Sequence, residues 1–253
     1  MLLQNANAAI AFPLMRRLGL VCCLISLAAV LTARGEELPM YRPALIGKAA
    51  DAIINRIDTR MLMAAGQKNA AVMFCVAVDK DGQVKLPVTY RGTSDSKLLE
   101  QEVQRVLNNA RMIPAVRNHA PVAVFYYGTV FFEVINNKPR LRIFANQEAE
   151  ELKNENDFVG PQPCLGGDSK FDGLHYPADG LALPVSGVVE LGLKIDADGN
   201  LQEQKVVNES PPLIGFAEAA LDDFHDAKFI PAFRNGKPVA SEITLPVYYQ
   251  PSG

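Results

Sequence analysis

Val78-Asp79-Lys80-Asp81-Gly82-Gln83-Val84 is answered further along the chain by Ile195-Asp196-Ala197-Asp198-Gly199-Asn200-Leu201. Working outward, Ala110-Arg111-Met112-Ile113-Pro114-Ala115-Val116-Arg117-Asn118 is answered by Ala227-Lys228-Phe229-Ile230-Pro231-Ala232-Phe233-Arg234-Asn235. Gly82 and Gly199 lie 117 positions apart, and so do Pro114 and Pro231. Two anchors at one offset, with no net insertion between them, imply a duplicated module.

The pattern around these anchors sets the fold class. In the second module, Val189, Leu191, Leu193 and Ile195 alternate with smaller or polar residues, the period of a half-buried strand. Asp198-Gly199 suits a tight hairpin turn, because both residues tolerate positive φ. Leu201 to Val207 returns as the partner strand, and Ser210-Pro211-Pro212 breaks it. Phe216, Ala219, Ala220 and Phe224 recur at helical spacing, and that helix is expected to end at Lys228 to Ala232, ahead of Pro231. Asn235-Gly236 turns into a last strand carrying Ile243, Leu245, Val247 and Tyr249. The first module repeats the scheme: a strand from Ala71 to Val78, a turn at Asp81-Gly82, a helix from about Lys97 to Asn109, and a strand from Val122 to Val134. It adds an amphipathic stretch in front, read as an extra helix (Ile46, Ala50, Ile53, Ile57, Met61), and a hairpin behind, from Asn136-Asn137 into Leu141 to Phe144. The expectation is an α+β protein with two tandem domains, each a small antiparallel sheet backed by one helix. The domains cover 36–150 and 171–253, joined by a linker over 151–170, where charge, Pro161-Gln162-Pro163 and Gly166-Gly167 replace periodic structure.

The first 35 residues read as an export signal. Arg16 and Arg17 precede an apolar run from Leu18 to Leu31, and Ala33-Arg34-Gly35 makes a small-x-small cleavage site. The run is shorter than the roughly 20 residues of a membrane-spanning helix, which favours cleavage over a retained anchor. A formal net charge of −3 gives no electrostatic case for nucleic acid or an anionic membrane surface. After cleavage only Cys75 and Cys164 remain, and whether they pair is left open.

The second module resembles the TonB carboxy-terminal domain family. The resemblance is carried by Tyr176-Pro177, Gly187-Val188-Val189-Glu190-Leu191 and the Asp196 to Gly199 turn, then by Val206 to Pro212, Ala219-Ala220-Leu221, Lys228 to Ala232 and Asn235 to Val239. The first module looks like a diverged copy. It keeps Asp81-Gly82, Pro114-Ala115 and Pro121-Val122, but lacks the Tyr-Pro opening and has His119 in place of Gly236. The resemblance implies a periplasmic domain of a Gram-negative cell that holds extended peptide segments of envelope proteins or outer-membrane receptors by strand addition. Carried onto this chain, the binding edge is the strand of Ser241, Ile243, Leu245, Val247, Tyr248 and Tyr249, with Val122 to Phe132 as its counterpart. Neither strand is blunted by clusters of Pro or Lys, so covering by the linker or by a second copy of the chain is the competing role. The family's force-transducing proteins carry a retained anchor and a long periplasmic spacer. Here the first domain begins almost directly after the signal, so an inner-membrane transducer is the alternative and an exported binding module the reading. Membrane contact is expected only if the amino-terminal segment is retained.

An enzyme is the remaining alternative. His119, His175 and His225 are the only histidines, none at a metal-ligand spacing and none with a carboxylate orienter evident in the sequence. The Asp-x-Asp-Gly segments lack the further oxygen ligands of a calcium loop and suit hairpin turns. Glu218, Asp222, Asp223 and Asp226 read as a solvated acidic helix face. The sequence therefore assigns no catalytic residue, metal ligand or cofactor. A cleft collecting His175 with acidic groups would favour the enzyme.

Overall fold

In the computed structural model, which describes residues 37–177 and 185–251, the two Asp-Gly turns have the same construction. Gly82 and Gly199 have φ of +79° and +76°. In each turn the first aspartate caps the loop, Asp79 Oδ1 accepting from the Asp81 and Gln83 N–H groups and Asp196 Oδ1 from those of Asp198 and Asn200. Each glycine carbonyl then accepts an N–H from across the sheet, from Met112 at 2.8 Å and from Phe229 at 2.9 Å. The chain at that crossing approaches so closely that a Cβ on Gly82 would lie 2.1 Å from the Met112 carbonyl oxygen, and one on Gly199 2.0 Å from that of Phe229.

The strands follow from these turns. β1 is Tyr41–Arg42, and two short helices, α1 (Ile53–Arg56) and α2 (Thr59–Ala64), precede β2 (Ala70–Val78) and β3 (Val84–Gly92). Next come α3 (Lys97–Leu107), β4 (Ala115–Arg117), β5 (Ala120–Ile135) and β6 (Lys138–Phe144). The second half contains β8 (Gly187–Ile195), β9 (Leu201–Ser210), α5 (Phe216–Phe224), β10 (Phe229–Ile230), β11 (Ala232–Arg234), β12 (Lys237–Val239) and β13 (Ser241–Tyr249). Between the halves lie α4 (Ala149–Asn154) and β7 (Gln162–Leu165). The sheets are antiparallel, and the fold is α+β.

Pairing in the two halves keeps one register. β2 meets β5 from Ala70↔Phe132 to Val78↔Val124, and β8 meets β13 from Gly187↔Tyr249 to Ile195↔Ser241. Every one of those partners differs by 117 positions. A bulge recurs at one place too, between Met73 and Phe74 and between Glu190 and Leu191. Each helix buries a stripe on its sheet: Leu99, Val103, Val106 and Leu107 from α3, and Phe216, Ala220 and Phe224 from α5.

Three expectations need correction. The stretch in front is not one amphipathic helix: Gly47 (φ +79°) turns the chain, only Ile53 and Ile57 of the expected stripe are buried, and Met61 is exposed. The helix of the second half ends at Phe224, and Phe229–Ile230 is a strand pairing with β7. Nor are residues 151–170 without structure. β7 pairs with both β5 and β10, and Val159 bridges Phe233, which adds the stretch to the sheet of the first half. The Gln162 side chain is held by the backbone of Ala44, donating to its carbonyl at 3.0 Å and accepting from its N–H at 2.7 Å. One apolar cluster contains Phe125 and Tyr127 of β5, Phe171, and Phe224 and Val247 of the second half, so the halves share a core.

Candidate functional site

β13 is the end strand of its three-stranded sheet, ordered β13-β8-β9. It pairs with β8 over nine residues, and no strand among the described residues pairs with its other side. Direction along the edge is set by one bond: the Thr244 N–H donates to Glu148 Oε1 at 2.8 Å, away from β8. In an antiparallel strand, backbone groups of alternate residues point to opposite sides. The outward groups therefore belong to Glu242, Thr244, Pro246 and Tyr248, and those of Ser241, Ile243, Leu245, Val247 and Tyr249 point to β8.

The side chains divide in the same way. Ile243, Leu245, Val247 and Tyr249 are buried in the core, so of the expected edge residues only Ser241 and Tyr248 remain half-exposed. Tyr248 stacks on Tyr90 of β3, ring centroids 6.3 Å apart. The residues an added strand would meet through the backbone are Glu242, Thr244 and Tyr248, and two of these were missed. The alternation that identified the buried face also marks Glu242 and Thr244 as its opposite.

Two features restrain the edge. Pro246 stands at an outward position, where its missing N–H takes nothing from the β8 ladder. Glu148, at the start of α4, occupies the Thr244 N–H, and burial raises its carboxyl pKa. The helix it precedes is tied down by an ion pair between Glu151 and Arg234, whose guanidinium also lies 4.9 Å from the centre of the Phe158 ring.

The corresponding edge of the first half is occupied. The Asn136-Asn137 turn, with φ of +51° and +60°, folds β6 back onto β5 from Thr129 to Ile135. β7 pairs with Ala123 and Val124. Between these, the Gln147 amide donates to the Gly128 carbonyl at 3.3 Å. Val122 to Phe132 is thus not an open edge, because the added hairpin and the expected linker both lie against it.

His175 does have a carboxylate orienter, contrary to the sequence reading. Its ring Nδ1 lies 2.7 Å from Asp223 Oδ1, its backbone N–H donates to Asp223 Oδ2 at 3.0 Å, and its Nε2 lies 3.6 Å from Asp172. The Tyr249 hydroxyl also donates to Asp223 Oδ2, at 2.7 Å. Asp223 is consequently buried rather than part of a solvated face. Lys170, Asp222 and Tyr176 complete a cleft around these groups. Its geometry is that of a staple: one buried carboxylate ties the segment around His175 to α5 and β13. No serine or cysteine among the described residues lines the cleft, and burial raises the Tyr249 hydroxyl pKa well above its ordinary value. Among the described residues no group of His, Cys, Asp and Glu side chains could hold a metal ion. Cys75 and Cys164 are free thiols, both pushed up to about 12 by burial.

The hydrogen bond to Asp223 raises the His175 pKa. The protonated form is therefore favoured by folding. The pair stabilises the fold fully below the unfolded pKa of roughly 6.5 and loses that contribution as pH rises through the folded value. A histidine NMR titration should give a midpoint for His175 above 6.5 by the ordinary reference, and Asp223→Asn should lower it. An unchanged midpoint in that variant would remove the staple from the account.

Among the described residues no helix is long and apolar enough to cross a membrane. No curated protein matches the chain. Residues 172–251 match the family model described as Gram-negative bacterial TonB protein C-terminal. This is the segment that contains β8, β9, α5, the open strand β13 and the buried staple. Residues 172–251 therefore form a domain of the TonB carboxy-terminal family, non-enzymatic protein-interaction domains of the Gram-negative envelope.

Proposed function

We propose that this is an exported, periplasmic protein that takes an extended segment of an outer-membrane or other envelope protein onto the outer edge of β13. The observation that supports it is the position of β13 as end strand, paired over nine residues on one side only. An incoming strand would exchange backbone hydrogen bonds with Glu242 and Tyr248, and with Thr244 once it displaces the Glu148 carboxylate, which supplies affinity without chemistry, and its alternate side chains would supply selectivity. The first half is, on the same reading, a second copy of the module. The common pairing register supports the duplication, and with the β5 edge occupied, β13 is the one of the two corresponding strands left to dock a segment.

A photo-crosslinking residue at position 242 tests this in cells. We expect an adduct with an outer-membrane protein from position 242, and none from position 203 on the opposite edge strand, where charged side chains line the sheet. Equal labelling from both positions, or dimers of the chain as the sole product at 242, would overturn the envelope-segment reading.

A further inference from the structure

A cavity of about 380 Å³ lies where the first half meets the second, walled by Val88, Phe125, Leu165, Leu174 and Tyr248. Its volume falls within the roughly 300–1,000 Å³ typical of small-molecule sites. Tyr127 also lines it, and the Tyr127 hydroxyl is buried with no hydrogen-bond partner. Its neighbours are the Cys75 thiol, which is only a weak acceptor, and the Tyr90 hydroxyl, which is itself unsatisfied. A buried hydroxyl with no better acceptor than a thiol gains from a ligand oxygen that can replace that weak contact.

The rim carries a second, independent sign of a site. Leu86 lines the cavity with φ of +48° and is 71 % exposed. An L-residue ahead of a proline is normally extended, so this conformation is strained, and strain of this kind gathers at binding sites. Comparison of the halves shows how it arises. In the second half the extra residue of the strand is Gln202, and Leu193 faces Gln204 in regular pairing. In the first half Cys75 faces Val88 and Ala77 faces Lys85, which leaves Leu86 and Pro87 bulged opposite Val76. Pro87 has no N–H to give the ladder, so the bulge falls there and turns β3 outward at the cavity.

Charge narrows the ligand class. The polar side of the rim is Asp172 and His175, and His175 is already held by Asp223. Two carboxylates against one imidazolium disfavour an anion. We propose that this cavity binds a small, neutral, mostly apolar molecule with a single carbonyl-type oxygen, which accepts a hydrogen bond from the Tyr127 hydroxyl. The assignment does not depend on the edge of β13.

The test is a titration of the full exported chain with 2-nonanone, followed by amide NMR. Saturable shifts are expected at Cys75, Val88, Phe125, Tyr127 and Leu174, and they should vanish in Val88→Phe, which fills the cavity. Tyr127→Phe keeps the wall and removes the donor, so it keeps the proposal testable if the larger side chain prevents folding. Its affinity should fall about tenfold, the effect of one buried hydrogen bond. Absence of saturable shifts, shifts that persist in Val88→Phe, or unchanged affinity in Tyr127→Phe would overturn the proposal. Nonanoate binding as tightly as the ketone would overturn its neutral character.

Discussion

Gly199→Ala should lower the stability of the folded chain by about 4 kcal/mol, combining two terms. Holding a residue with a Cβ at φ +76° costs about 1–3 kcal/mol. The new methyl would sit 2.0 Å from the Phe229 carbonyl oxygen, and forcing atoms into packed surroundings adds about 1–3 kcal/mol. The obstacle is backbone rather than a flexible side chain, and the same backbone receives the bond between the Phe229 N–H and the Gly199 carbonyl. Relief by movement would therefore break the crossing that joins the turn to the strand after α5. Gly82→Ala should behave alike, because its Cβ would meet the Met112 carbonyl oxygen at 2.1 Å. Gly66 separates the two terms: its φ is +80°, yet nothing lies within 4 Å of an added Cβ. Denaturant unfolding of the three variants should place Gly66→Ala well below the other two in cost. Equal losses would show that conformation alone, and not the close approach, maintains these glycines.

Phe171→Ala should cost about 3–5 kcal/mol, the usual loss for a fully buried phenylalanine. Phe171 has no exposed surface and belongs to neither sheet. Its ring meets Phe125 of β5 edge-on, with centroids 5.5 Å apart, and stacks on Phe224 of α5 at 4.6 Å. It is thus a single side chain packed against both halves. Its removal should weaken their coupling as well as total stability, turning one calorimetric transition toward two. Phe171→Leu, which retains most of the apolar volume, should lose far less and keep one transition. A cost below about 1 kcal/mol for the alanine variant would be too small for a cavity at a closed core position, and would mean that the halves are joined elsewhere.

The acidic staple and the blunted edge show where reading residues in order reaches its end. The sequence alone marked both Asp-Gly turns, the strands beside them, the helix stripes, the hairpin at Asn136-Asn137 and the family of the second half. These depend on neighbours a few positions apart: the φ tolerance of Asp and Gly, the two-residue alternation of a strand, the spacing of a helix face. Alternation put Ile243, Leu245, Val247 and Tyr249 on one face of a strand, but that this face is core, leaving the even-numbered neighbours outward, was decided by packing. Glu148 against Thr244, Asp223 against His175, Gln162 against Ala44 and the cavity beside the Pro87 bulge were decided only by tertiary structure. Their members are separated by 96, 48 and 118 positions in the three pairs. No local preference brings such groups together. Glu148 meets Thr244 because the shared core around Phe171 brings one half against the other, and the other two pairs form because folding within each half brings buried polar groups to partners far away in sequence.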